Sequence, residues 1–231
     1  MRPLTLWRYE VRRAGWAAVL GPPIAVALGV AAALANPQPS DPTTARILLG
    51  GLEMAIPLAA AVACASLIGR DPARERQLTA PTAYRVTLLR RLTVVLGWTA
   101  AIAVLTATVL IGTGWWERWP ENHGAFAGQL TWLAPTLGLS GVGFAAGAVF
   151  RSPAAAGALV TTLWAIQQFF AGSAQRHLPG RLTYLFATTR GETPGDWTAI
   201  RVTLLGAGAA LIALAVVVLG RPERLIREED E

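Results

Sequence analysis

Glu53 stands within the apolar run Ile47–Gly69, about a turn or two from its start. A carboxylate at mid-bilayer depth costs roughly 2.5–3.5 kcal/mol, and less near the interface. It must therefore face protein or water and find a partner. Arg46, seven residues back and nearly two helical turns away, shares its face. Glu53 either lines an aqueous vestibule or serves as a structural hydrogen-bond acceptor that reaches toward the interface. A second polar group lies in another apolar run, where Thr161, Thr162, Trp164, Gln167 and Gln168 cluster. Adjacent amides are costly in lipid unless they meet a neighbour or a cavity. They line an interface between two subunits, or they bond helix to helix within one chain.

Other chemistry is hard to build from this chain. There is no lysine, so the phosphate-cradling GxxxxGKS or GxxxxGKT loop cannot occur. Any ATP hydrolysis must belong to another chain. His123 and His177 sit in separate loops and lack the spacing of a zinc pair. The nearest echo of a serine nucleophile elbow, Gly138-Leu139-Ser140-Gly141, has the wrong spacing. The single cysteine, Cys64, has no disulfide or metal-ligand partner and reads as a small buried apolar residue. The chain is not expected to be an enzyme.

The elements that position these residues are membrane helices. With 53% hydrophobic and only 15% charged residues among 231, the chain carries too little charge for a soluble domain of this size. Apolar runs near the roughly 20 residues needed to cross a bilayer recur. The expected fold is all-α, a single transmembrane domain over 1–231. Its six spans fall at about 14–35, 47–69, 92–113, 129–150, 153–172 and 199–220. The first resembles a signal peptide, but its length and Pro22-Pro23 favour a retained span. Gly143 and Gly147 form a GxxxG that allows close approach of a neighbouring helix. Pro153 suits the first position of the fifth helix, after a tight turn at Arg151-Ser152.

Arginines set the orientation. The N-terminal flank, residues 70–91, Arg151 and the tail carry fourteen, against six on the opposite side. The positive-inside rule then places both termini in the cytoplasm, in a cytoplasmic (inner) membrane. The same rule accounts for the net charge of +6 and argues against a nucleic-acid partner. Trp115, Trp116, Trp119, Trp132 and Trp197 fall near the outer ends, where interfacial anchoring is expected for most.

Two charged segments face the cytoplasm in this reading. Residues 3–13 place Leu4, Trp7 and Val11 on one stripe, as in a short interfacial helix. Residues 70–91 hold six arginines, two acids and two prolines. Asp71 can cap a helix there, Pro72 suits its first position, Glu75 falls in its first turn, and Pro81 stops or kinks it. The segment is either a grip for a partner or a solvated loop. The 173–198 connection, with Pro179-Gly180 and the apolar Leu182, Tyr184, Leu185 and Phe186, reads as a short helix resting at the outer surface.

Glu75, Leu78 and Pro81 before a basic re-entry helix, in RERQLTAPTAYRVTLLRRL, resemble the coupling segment of ABC type-2 transporter permeases. Six spans, an amphipathic N-terminal helix and an outer helical element between spans five and six complete the resemblance, which covers nearly the whole chain. The Gly-Thr usual after the acid is replaced by Arg76-Gln77. The resemblance implies a permease half that works with a second copy or a related permease. It also implies two cytosolic ATPase subunits, which hold ATP and Mg and grip Asp71, Arg74, Glu75, Arg76, Leu78 and Pro81. The cargo would be lipophilic or amphipathic, and the 173–198 element an outer gate. An ion-gradient-driven secondary transporter or a non-transporting membrane scaffold are the alternatives.

Overall fold

The computed structural model describes residues 15–37, 40–68, 84–192 and 194–220. The expected N-terminal helix lies outside them, as do Asp71, Arg74, Glu75, Arg76, Leu78 and Pro81. Among the described residues the fold is helical, with no strand. Helix α1 spans Trp16–Leu34 and α2 Asp41–Ser66. Next come α3 (Tyr84–Gly112), α4 (Leu130–Phe150) and α5 (Pro153–Phe169). Two short helices follow, α6 (Ala171–Arg176) and α7 (Leu178–Leu182), and then α8 (Trp197–Leu219). Five of these helices (α1, α2, α3, α4 and α8) are long and apolar enough to cross a membrane. The region expected as the fifth span is helical as α5 but is not among these five, with 17 residues, because the helix breaks at Phe170.

Two spans start earlier than hydropathy suggests. Helix α2 begins at Asp41, with Pro42 in its first turn, so Arg46 lies inside the helix rather than before it. Helix α3 begins at Tyr84, so Arg85, Arg90 and Arg91 belong to its first turns. In both cases helix geometry extends past the apolar stretch, as intrahelical hydrogen bonding does not require an apolar side chain. The α4–α5 turn forms as expected. Arg151 takes a left-handed φ of 52°, Ser152 Oγ accepts from the Ala155 amide at 3.3 Å, and Pro153 opens α5.

Helix α4 is the hub. Two thirds of its apolar window (67%) is buried within the protein, against 22% for α1 and for α8. Small residues make this possible. Gly143 abuts the Ala61 carbonyl of α2 so closely that a β-carbon would collide with it. On the other side, a β-carbon on Gly141 would come within 2.6 Å of the Gly208 carbonyl oxygen of α8. Backbone-to-backbone contact of this kind lets dispersion hold helices together where lipid removes the hydrophobic drive.

The tryptophans depart from simple anchoring. Trp116, Trp132 and Trp197 are buried inside the protein. Their indole N–H groups donate to the Gly124 carbonyl (3.2 Å), Gln129 Oε1 (2.7 Å) and Thr188 Oγ1 (2.9 Å). A buried indole needs such a partner, and here it comes from the protein rather than from an interface.

Candidate functional site

Most of the polar residues singled out in the apolar runs, Glu53, Trp164, Gln167 and Gln168, converge at one end of the bundle. Glu53 sits in a single π turn, Gly51–Ala55, inserted into α2. Such turns add one residue to the helical ring and re-aim what they carry. Its side chain is fully buried. Oε1 accepts from the Thr188 amide at 2.7 Å and pairs with Arg201 Nη2 of α8. Oε2 accepts from the Thr189 amide at 2.9 Å and the Thr189 hydroxyl at 2.5 Å. A carboxylate has about four acceptor positions, and all are in use.

The partner is therefore Arg201, not Arg46, which lies with its guanidinium 5.8 Å from the Trp119 ring centroid. Arg201 is one of the six arginines that the orientation count places on the outer side. Because α8 starts at Trp197, Arg201 falls in the second turn and is itself fully buried. Its Nη1 donates to the Leu185 carbonyl at 2.9 Å, and Nη2 also donates to Thr188 Oγ1 at 2.7 Å.

These bonds explain why an irregular segment survives inside an apolar bundle. Residues Tyr184–Thr189 are all buried rather than resting on a surface. Non-helical backbone at this depth is tolerated only when protein satisfies its polar groups. Gln167 supplies two partners, donating to the Thr183 carbonyl at 3.2 Å and accepting from the Leu185 amide at 2.8 Å. Trp119 Nε1 donates to the Thr188 carbonyl at 3.0 Å. Gln175 Nε2 donates to the Arg190 carbonyl at 3.2 Å, and its Oε1 accepts from the Glu192 amide at 2.8 Å. Side chains from four helices and the 113–129 loop thus replace the missing helical ladder.

Trp164 and Gln168 reach the π turn from α5. Trp164 Nε1 donates to the Met54 carbonyl at 3.1 Å, and Gln168 Nε2 lies 3.2 Å from Met54 Sδ. Glu53, Trp164, Gln167 and Gln168 therefore belong to one assembly. Thr161 and Thr162 do not, and face outward from α5.

Two titratable groups in the connecting segments feel this assembly. Burial, and after it the Glu53 carboxylate, push the Tyr184 phenol up to about 12. His123 stacks on Trp197 with ring centroids 3.7 Å apart. Burial and then the Arg201 charge hold its pKa below the usual 6.5, with Glu53 opposing.

Sequence reasoning missed Arg201, Thr188, Thr189 and His123 as members of this site. The spacing of Arg201 after Trp197 could have found the first. Nothing local marks the two threonines, which act mostly through their amides. A separate apolar cavity of about 240 Å³ lies between α1, α2 and α3, against Gly29, Gly51, Leu52 and Leu105. Among the described residues no cluster of His, Cys, Asp or Glu is placed to hold a metal ion. Comparison with family models, with curated proteins and with solved structures finds no match to this chain.

Proposed function

We propose that this chain is the permease subunit of an ABC exporter that moves a lipophilic or amphipathic substrate across the cytoplasmic membrane. A second permease copy, or a related permease, completes the path. Two cytosolic ATPase subunits hold ATP and Mg and grip Asp71–Thr82. In this reading α5 is the fifth of six spans, added to the five long apolar helices. Its 17 residues give about 25 Å at 1.5 Å per residue, close to the roughly 30 Å hydrocarbon core. Both termini then face the cytoplasm, and the 171–197 connection faces outward.

The observation that carries the reading is how that connection closes the bundle. It is folded into one end of the bundle, the outer end in this reading, and pinned to α2 through Glu53. Helix α2 runs from the pin to the segment that a partner would grip. From Glu53 to Ser66 is about 20 Å of helix. A push on Glu75, Arg76, Leu78 and Pro81 by closing ATPases would reach α2 and α3 directly, since the segment joins them. Displacing α2 along its axis would strain the bonds from Glu53 to Thr188 and Thr189 and open the outer end.

An ion-gradient-driven carrier is the second reading, favoured by the buried carboxylate at the π turn of α2. Co-purification with the ATP-binding protein encoded beside the chain separates the two. Under the exporter reading an ATPase assembles, and replacing Glu75 and Arg76 together with alanine keeps assembly but uncouples ATP hydrolysis from transport. Absence of an ATPase partner, with activity that follows a proton gradient, would select the carrier.

A further inference from the structure

Small residues open a space where α1, α2 and α3 meet. Gly29 of α1 and Gly51 of α2 touch backbone to backbone, and a β-carbon on either would lie 3.2–3.3 Å from the Cα of the other. Neither residue has a side chain to fill the ground beside that contact, and the cavity of about 240 Å³ lies there. That exceeds the roughly 150 Å³ of an engineered apolar cavity that stays dry and binds benzene.

The lining decides what can enter. The described residues that form it are aliphatic or glycine apart from Thr106, and the Thr106 hydroxyl already donates to the Ile102 carbonyl at 2.8 Å. A buried water needs about 2–4 polar partners, and the side chains here offer none that is free. Depth points the same way. Along the helix axes the lining lies about 3–16 Å inward of Leu34, Asp41 and Gly112, the three helix ends on that side. In a bilayer this is the depth of acyl chains rather than of headgroups. The lining also reaches the surface. Val30 of α1 and Leu105 and Val109 of α3 are exposed, whereas Leu52 and Leu110 are buried. The mouth therefore opens between α1 and α3, and Leu52 and Leu110 form the inner wall.

We propose that this cavity is a binding site for one acyl chain of a bilayer lipid, which enters sideways between α1 and α3 and ends against Leu52. Hydrocarbon is what a membrane places at the mouth. A chain that enters gives up no hydration, and it gains dispersion contacts that an empty cavity forfeits. A polar or charged ligand would lose its hydration with nothing in the lining to replace it.

The inner wall belongs to the π turn of α2. Gly51 and Leu52 are its first two residues, and the next, Glu53, holds the Thr188 and Thr189 amides. A bound chain thus packs on the turn that carries the carboxylate of the closed connection.

Photo-crosslinking of the full chain in phosphatidylcholine nanodiscs tests this. The discs carry a trace of phosphatidylcholine with a diazirine midway along one acyl chain, and labelled residues are mapped by mass spectrometry. Leu214 of α8 is exposed and reports lipid at the outside of the bundle. Label should appear as well at Leu52 and Leu110, which are buried and reachable only through the cavity. Thr106→Phe fills the cavity, so labelling of Leu52 and Leu110 should fall several-fold while that of Leu214 stays unchanged. Thr108→Phe is the matched control on the same helix. Thr108 is exposed and outside the lining, and its hydroxyl likewise donates to a carbonyl four residues back, Val104, at 2.8 Å. That variant should label as the parent does. Should Thr106→Phe fail to fold, Val109→Phe narrows the mouth and gives the same readout. A parent protein labelled only at exposed residues, because the mouth is closed or filled by a second copy of the chain, would overturn the proposal. So would labelling of Leu52 that survives the filled cavity. The outcome is independent of ATPase assembly, so it stands or falls apart from the exporter reading.

Discussion

Arg201 and Glu53 are 148 residues apart in the chain and form an ion pair from which solvent is excluded. Removing one member of such a pair leaves the other buried and uncompensated, at a cost of about 3–5 kcal/mol. Glu53→Gln and Arg201→Gln should each lower thermal stability of the detergent-solubilised protein by amounts in this range. Replacing both with apolar residues of similar volume should cost less than the two singles added together. A cycle of the four melting curves measures the coupling. Additive losses would show that the pair contributes nothing beyond its separate hydrogen bonds.

Helix α4 makes a second, independent claim. At Gly141 a β-carbon would meet the Gly208 backbone, whereas at Gly157 of α5 it would meet nothing within 4 Å. Gly141→Ala should destabilise by about 1–3 kcal/mol, the usual cost of overpacking. Gly157→Ala should be neutral or stabilise by up to about 1 kcal/mol through helix propensity. Of the two variants only Gly141→Ala should melt below the parent, and a melting temperature for Gly141→Ala at or above the parent's would contradict the α4–α8 contact.

The helices were legible in the sequence because about 20 apolar residues admit little else in lipid, and the turn at Arg151-Ser152 because Pro153 marks a helix start. The site was legible only in part. Glu53, Trp164, Gln167 and Gln168 stood out as polar groups among apolar neighbours. Their common purpose did not, because it depends on residues 183–190 entering the bundle. Tyr184, Leu185 and Phe186 signalled burial but not its depth. That depth is set by partners more than a hundred residues away, such as Glu53 for Thr188, and local pattern carries no record of them. Arg201 was obscured for a related reason. An arginine near the end of an apolar run usually flanks it, and only the start of α8 at Trp197 shows otherwise.

Tyr184 is buried, yet among the described residues its hydroxyl has no hydrogen-bond partner. Burial and the nearby Glu53 charge keep it protonated, with its pKa pushed up to about 12. Removing an unsatisfied buried hydroxyl while keeping the ring should cost nothing. Tyr184→Phe should therefore melt at or above the parent temperature, and its edge-to-face contact with Phe186, at 5.7 Å between centroids, should persist. A marked loss of stability would reveal a partner for the hydroxyl.

Gln167 and Gln168 are adjacent amides with unequal duties, and substitution should separate them. Gln167 satisfies the Thr183 carbonyl and the Leu185 amide, both on the segment that closes the bundle. Gln167→Leu would leave two backbone groups without partners, at about 1–3 kcal/mol for each that stays buried. The loss should appear locally, as faster hydrogen exchange at Leu185, before it appears in the global melt. Gln168 touches only the Met54 thioether through its Nε2, and its Oε1 has no partner among the described residues. Thioether sulfur is a weak acceptor, so the Gln168→Leu side chain gives up little. Helix α5 still holds the π turn through the Trp164 bond to the Met54 carbonyl. Gln168→Leu should consequently leave both exchange at Leu185 and the melting temperature close to the parent values. Equal effects from the two substitutions would mean that α5 supports the connection through packing rather than through the Gln167 amide.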